Sequence, residues 1–100
     1  MVRNIINNIN GTNGKYLLFK KKPVDVLMYL QDNTRPKYVS YISKEINCTY
    51  AHTEKILDTF RELSMVSFKK DGRRKYIKLT NKGEKIGKLV ENLLIICNDR

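Results

Sequence analysis

Along this 100-residue chain the spacing of apolar positions is helical three times, alternating once and helical again. Val26, Leu27 and Leu30 recur at i, i+1 and i+4 behind Pro23, and a proline suits the first turn of a helix, where its missing N–H has no partner to lose. Asp32-Asn33-Thr34 then loosens the chain. Pro36 opens a second helical segment in which Val39, Ile42 and Ile46 repeat at i, i+3 and i+7, leaving Ser40, Lys44 and Glu45 outside. Asn47 follows at a position where a left-handed residue ends a helix. Thr49 stands two residues on, ready to cap a third helix whose apolar face is Ile56, Leu57, Phe60 and Leu63. Two helices thus meet across a tight turn.

Beyond Leu63-Ser64 the period drops to two. Val66 and Phe68 alternate with Ser67 and Lys69, and Tyr76, Ile77, Lys78 and Leu79 resume after Asp71-Gly72, which predicts a hairpin closed by a two-residue type I′ turn. Pairing Lys70 with Arg73 sets Val66 opposite Ile77 and Phe68 opposite Lys75 on one face. The other face then holds Ser67 opposite Tyr76 and Lys69 opposite Arg74, with like charges facing each other near the tip. A last helix begins at a cap supplied by Thr80 or Asn81, with Glu84 three residues after Asn81 in the manner of a capping box. Gly83 and Gly87 share one side of it, so that side must approach another backbone closely. Its stripe of Ile86, Leu89, Val90, Leu93, Ile96 and Cys97 needs cover. The expected organisation is a flexible N-terminal arm over 1–14, a domain over 15–80 and a C-terminal helix over 81–100 that serves as a dimerisation element.

Charge sharpens this picture. Twenty Lys and Arg against ten Asp and Glu give a net charge of +10. The excess lies in two blocks: Arg3, Lys15, Lys20, Lys21 and Lys22 in residues 1–22, with no acid, and Lys69, Lys70, Arg73, Arg74, Lys75 and Lys78 against Asp71 in residues 65–80. Clustering of this kind is the electrostatic footprint of phosphate binding.

Several classes fall away. One domain of this length has room for a single modest core. No apolar run approaches the roughly 18 residues of a membrane-spanning helix, and the Asn/Ile-rich start does not read as an export signal. Cys48, Cys97 and the lone His52 have none of the spacings of a zinc site, and two cysteines are too few for a disulfide scaffold, so the expected setting is cytoplasmic, with no metal and no cofactor. His52 has no recurrent partner that would make a catalytic constellation, so no enzymatic activity is expected.

The stretches Ile42-Ser43-Lys44-Glu45-Ile46-Asn47-Cys48-Thr49-Tyr50-Ala51-His52 and Leu79-Thr80-Asn81-Lys82-Gly83 resemble the helix-turn-helix and the hairpin-to-helix junction of MarR-like winged-helix transcription regulators, especially small archaeal ones. The resemblance spans about residues 23–97. The chain departs from the family pattern at Ser64, where glycine is common, and at Thr53, where an aliphatic residue is common. The resemblance implies an α+β fold: a winged helix-turn-helix of three helices and a β-hairpin wing, with an additional C-terminal helix. It also implies a regulator that binds double-stranded DNA sequence-specifically, with its third helix in the major groove. On this chain the helix would present Thr49, Tyr50, Ala51, His52 and Lys55 to the groove. The wing would bring Lys69, Lys70, Arg73, Arg74 and Lys75 to the backbone or minor groove. Lys22, Arg35 and Lys37 would serve as secondary phosphate contacts.

The apolar stripe from Ile86 to Cys97 suits a homodimer. Its two recognition helices would then lie about one DNA turn, roughly 34 Å, apart. Two other functions fit the same residues. One is a non-specific, architectural nucleic-acid binder, favoured by the acids Glu54 and Asp58 on the reading face. The other is a winged-helix module whose basic hairpin meets an acidic protein.

Overall fold

Leu27 and Leu30, Ile42, Leu57 and Phe60, Met65 and Ile77 are all fully buried and meet at one point, where the computed structural model, which describes residues 18–98, gathers every element except the far end of its last helix. The elements are α1 (Lys21–Gln31), α2 (Val39–Glu45), α3 (Tyr50–Glu62), β1 (Val66–Asp71), β2 (Arg74–Leu79) and α4 (Asn81–Asn98). This is the expected winged helix-turn-helix with an added C-terminal helix. The expected arm over 1–14 lies outside the described residues.

The turn between α2 and α3 is made by backbone geometry. Asn47 adopts φ 55°, and the amides of Asn47 and Cys48 donate to Lys44 O at 3.2 Å and Ser43 O at 2.9 Å. That pair of bonds is a Schellman closure, which satisfies carbonyls that the helix end would leave bare. Thr49 then caps α3, its hydroxyl oxygen accepting from the His52 amide at 3.1 Å. Thr53, fully buried, satisfies its own hydroxyl by donating to Thr49 O at 2.8 Å, so a polar residue sits in the core without an orphaned group. The end of α3 repeats the device: Ser64 takes φ 62°, with Ser64 N donating to Arg61 O and Met65 N to Phe60 O, both at 2.9 Å. Ser64 thus does what glycine does in the resembling family.

The hairpin forms with a register two residues away from expectation. Asp71 pairs with Arg74, Lys70 with Lys75, Phe68 with Ile77 and Val66 with Leu79. The reversal is Gly72-Arg73, with positive φ at Gly72 (62°) and none at Arg73, the signature of a type II′ turn rather than I′. The reason is pairing: this register sets apolar Phe68 against Ile77 and acidic Asp71 against Arg74, whereas the expected one set Phe68 against Lys75 and Lys69 against Arg74. The extended segment ahead of α2 touches β2 through one isolated Tyr38–Tyr76 bridge, with Ile77 N donating to Lys37 O at 2.8 Å.

Thr80 joins the wing to α4. Its hydroxyl accepts from Gly83 N at 3.0 Å and donates to Ser64 O at 2.6 Å, while its amide donates to Met65 O at 2.9 Å. The cap is therefore Thr80. A methyl group on Gly83 would lie 2.0 Å from the Met65 carbonyl oxygen, whereas one on Gly87 would meet the Gln31 side chain. The close backbone approach thus occurs at Gly83 alone.

Candidate nucleic-acid interface

With Thr53, Ile56, Leu57 and Phe60 buried, the opposite face of α3 is set by the helix period. Thr49, Tyr50, Ala51, His52 and Lys55 are all exposed, Tyr50 by 48%. The five wing cations Lys69, Lys70, Arg73, Arg74 and Lys75 are exposed as well. The wing lies against α3: Lys75 Nζ donates to Glu54 at 2.9 Å, and Arg61 of α3 stands 4.6 Å from the centroid of the Phe68 ring, with Lys75 Nζ 5.6 Å from the same centroid. The hydrogen bond to Glu54 holds the Lys75 ammonium above its ordinary pKa. The exposed face of α3 and the hairpin are thus in contact.

The wing tip is tied to the start of α2. Tyr38 Oη donates to Asp71 at 2.9 Å, the Tyr38 and Tyr76 rings meet edge to face at 5.5 Å, and the Arg74 guanidinium stands 4.9 Å over the Tyr38 ring. The bond to Asp71 raises the pKa of the Tyr38 phenol. Arg73 lies in the turn itself and is exposed.

Lys22, Arg35 and Lys37 are placed differently, each engaged by the domain itself. Lys22 Nζ donates to Ile46 O at 2.6 Å and Asn47 O at 3.1 Å, where a cation favourably meets the carbonyl end of α2. Arg35 bridges Asp32 at 3.0 Å and Glu45 at 2.9 Å and lies 5.5 Å from the Tyr29 ring centroid. Lys37 donates to Leu30 O at the end of α1, and burial lowers its pKa. Tyr38 is the position that sequence reasoning missed. A tyrosine directly ahead of the helical segment was the signal available, because tyrosine suits an extended strand position.

On α4, Ile86 and Val90 are half-buried against the core. Leu89, Leu93 and Ile96 are 68%, 48% and 70% exposed, and Cys97 is exposed, whereas Cys48 is half-buried. Leu93, Leu94 and Cys97 face Leu18, Phe19 and Met28 across an apolar groove of about 450 Å³. Among the described residues, no cluster of His, Cys, Asp or Glu could hold a metal ion, and no helix is long and apolar enough to cross a membrane.

Three packed helices, a tight turn between the second and third, and a cationic hairpin against the third define a winged helix-turn-helix domain. An uncharacterized protein of Archaeoglobus fulgidus is 34% identical over 86 residues, covering 83% of this chain and 90% of that one. The crystal structure of AF1382 from the same organism matches with a TM-score of 0.78 at 31% identity, covering 84% of this chain and 96% of that one. The chain belongs to one family with these archaeal proteins. MepR of Staphylococcus aureus, a transcription regulator whose complex with DNA has been solved, shares the fold at a TM-score of 0.69 and 18% identity, over 98% of this chain and 85% of that one. No protein-family model matches the chain.

Proposed function

We propose that this protein is a cytoplasmic transcription regulator that binds double-stranded DNA sequence-specifically. The observation that carries this reading is the contact between the exposed face of α3 and the cationic wing, fixed by Lys75 and Glu54 at 2.9 Å. A helix and a charged hairpin held side by side match a major groove about 12 Å wide and the phosphates that flank it. The solved complex of MepR with DNA, on the same fold, supports it.

Tyr50 and His52 supply hydrogen-bonding groups for base edges, Ala51 is small enough to touch a thymine methyl, and Lys55 reaches a guanine or a phosphate. Thr49 lies where the helix start meets the backbone. Arg73 and Arg74 at the wing tip, with Lys69 and Lys70, meet the backbone or enter the minor groove, and Lys75 joins them as far as its pairing with Glu54 allows. Lys22, Arg35 and Lys37 add positive field at the rim while their head groups brace the helices. A second copy covers the exposed stripe of α4 through Leu89, Leu93, Ile96 and Cys97, with Ile86 and Val90 beneath, and gives a two-fold dimer that reads an inverted repeat.

Glu54 and Asp58, acids on the α3 surface, favour a second reading in which wing and arm bind any duplex. Titrating random duplex and promoter-derived duplex at several ionic strengths separates the two. Preference for a subset of the promoter pool, with a steep salt dependence, supports the regulator. Equal affinity for every duplex makes the protein architectural, and no binding at low salt points to an acidic protein partner.

A further inference from the structure

Glu54 sits in the second turn of α3, beside the residues offered to the groove, yet its carboxylate does not face solvent alone. It accepts from Lys75 Nζ at 2.9 Å, with the two side chains 33% and 44% exposed respectively. Lys75 is the wing cation nearest α3, and Asp58 and Tyr50 lie close enough to influence it too. A carboxylate and a backbone phosphodiester each present one negative charge shared over two oxygens. In the free protein, Glu54 therefore offers Lys75 what a phosphate of the duplex would offer.

We propose that Glu54 is a positioning residue that stands in for a DNA phosphate, holding Lys75 back from the duplex and so lowering the protein's sequence-independent affinity. The inference rests on the DNA-binding reading above. It explains why an acid stands on a reading face, since of the five wing cations one is withheld by the protein's own α3. The Lys75 ammonium also stands 5.6 Å from the centroid of the Phe68 ring, which Arg61 covers from the α3 side.

Binding of the full chain to random duplex, followed across a salt series, tests this. Glu54→Gln keeps the shape and removes the charge. It is expected to steepen the plot of log affinity against log salt by about 0.9, one further phosphate contact, and so to raise affinity about five-fold at about 0.15 M salt and about fifteen-fold at about 0.05 M. Combining Lys75→Met with Glu54→Gln is expected to abolish the gain. An unchanged slope in Glu54→Gln overturns the proposal. So does a gain that survives in the double variant, since the acid would then be repelling the duplex directly. If the wild-type chain shows no salt-dependent affinity for any duplex, the DNA-binding reading falls and this inference with it; salt-dependent binding that Glu54→Gln leaves untouched removes the role of Glu54 alone.

Discussion

Tyr38 donates its phenolic hydrogen to Asp71 at 2.9 Å across 33 positions of chain, so the start of α2 restrains the tip of the wing. Tyr38→Phe removes that bond while keeping the ring that Arg74 covers. The expected result is several-fold faster amide exchange over residues 71–74, with little change in the unfolding midpoint, because exchange reports local opening and not global stability. Unchanged exchange at the tip would show that ring contacts alone hold it.

The two glycines of α4 differ in what they touch. Gly83→Ala forces a methyl group onto the Met65 carbonyl, whose oxygen would lie 2.0 Å away, and backbone at a wing root cannot give way cheaply. The expected loss is about 2 kcal/mol or more, after about 1 kcal/mol regained from helix propensity. Gly87→Ala meets only the flexible end of Gln31 and should be neutral or stabilising by up to about 1 kcal/mol. Paired thermal or denaturant unfolding curves give the comparison.

Ser64 carries a side chain in the left-handed region at φ 62°, a conformation that glycine adopts without steric cost. Ser64→Gly should stabilise the protein by about 0.5–1 kcal/mol, measured as a rise in the denaturant midpoint with unchanged slope. The bond from Thr80 to the Ser64 carbonyl survives the change, since it uses backbone on that side.

Asp32 accepts from the hydroxyl of Thr34 at 2.6 Å and from its amide at 3.0 Å. The hydroxyl bond, then the amide bond, depress the carboxyl pKa below its usual 3.8, and Arg35 helps. A depressed folded pKa means the ionised form is preferred on folding, so this stabilisation is complete above the unfolded value and is lost as pH falls through the folded one. Asp32→Asn should therefore flatten the decline in stability below about pH 4, read from unfolding midpoints across an acid series.

Sequence preference and sequence-independent affinity should separate by element. Replacing Arg73 and Arg74 by alanine together should reduce the salt slope by about 1.8 and weaken every duplex by a similar factor, about thirty-fold at about 0.15 M salt. Tyr50→Ala should instead change which duplex is preferred, by about 1–3 kcal/mol at the base pair it reads. Competition binding against a randomised library measures both, and the reverse pattern would exchange the assigned roles of wing and helix.

Much of this fold was legible because its decisive signals are local. Asn47 must take a left-handed φ to close α2, Thr49 is one turn from the amide it caps, and the α3 stripe needs only the helical period. The wing register was not legible. Gly72 fits as either central residue of a two-residue turn, and the choice is settled by Phe68 finding Ile77 and by Asp71 finding Arg74 and Tyr38, contacts that a local turn preference does not contain. The same holds for Lys22 and Lys37. A lysine near a helix start reads as a free cation until the fold brings Ile46 and Asn47 O, or Leu30 O, against its ammonium.

The knot of Ser64, Met65, Thr80 and Gly83 makes the root of α4 and the foot of the hairpin one rigid piece. With eighteen residues, α4 is a boom about 27 Å long at 1.5 Å per residue. Swinging that boom by about 5° carries its free end through about 2.4 Å at this length, and the swing loads the same backbone knot that holds the foot of the hairpin. A partner that grips the far end of α4 therefore bears, through that knot, on the foot of the finger that ends in Gly72 and Arg73.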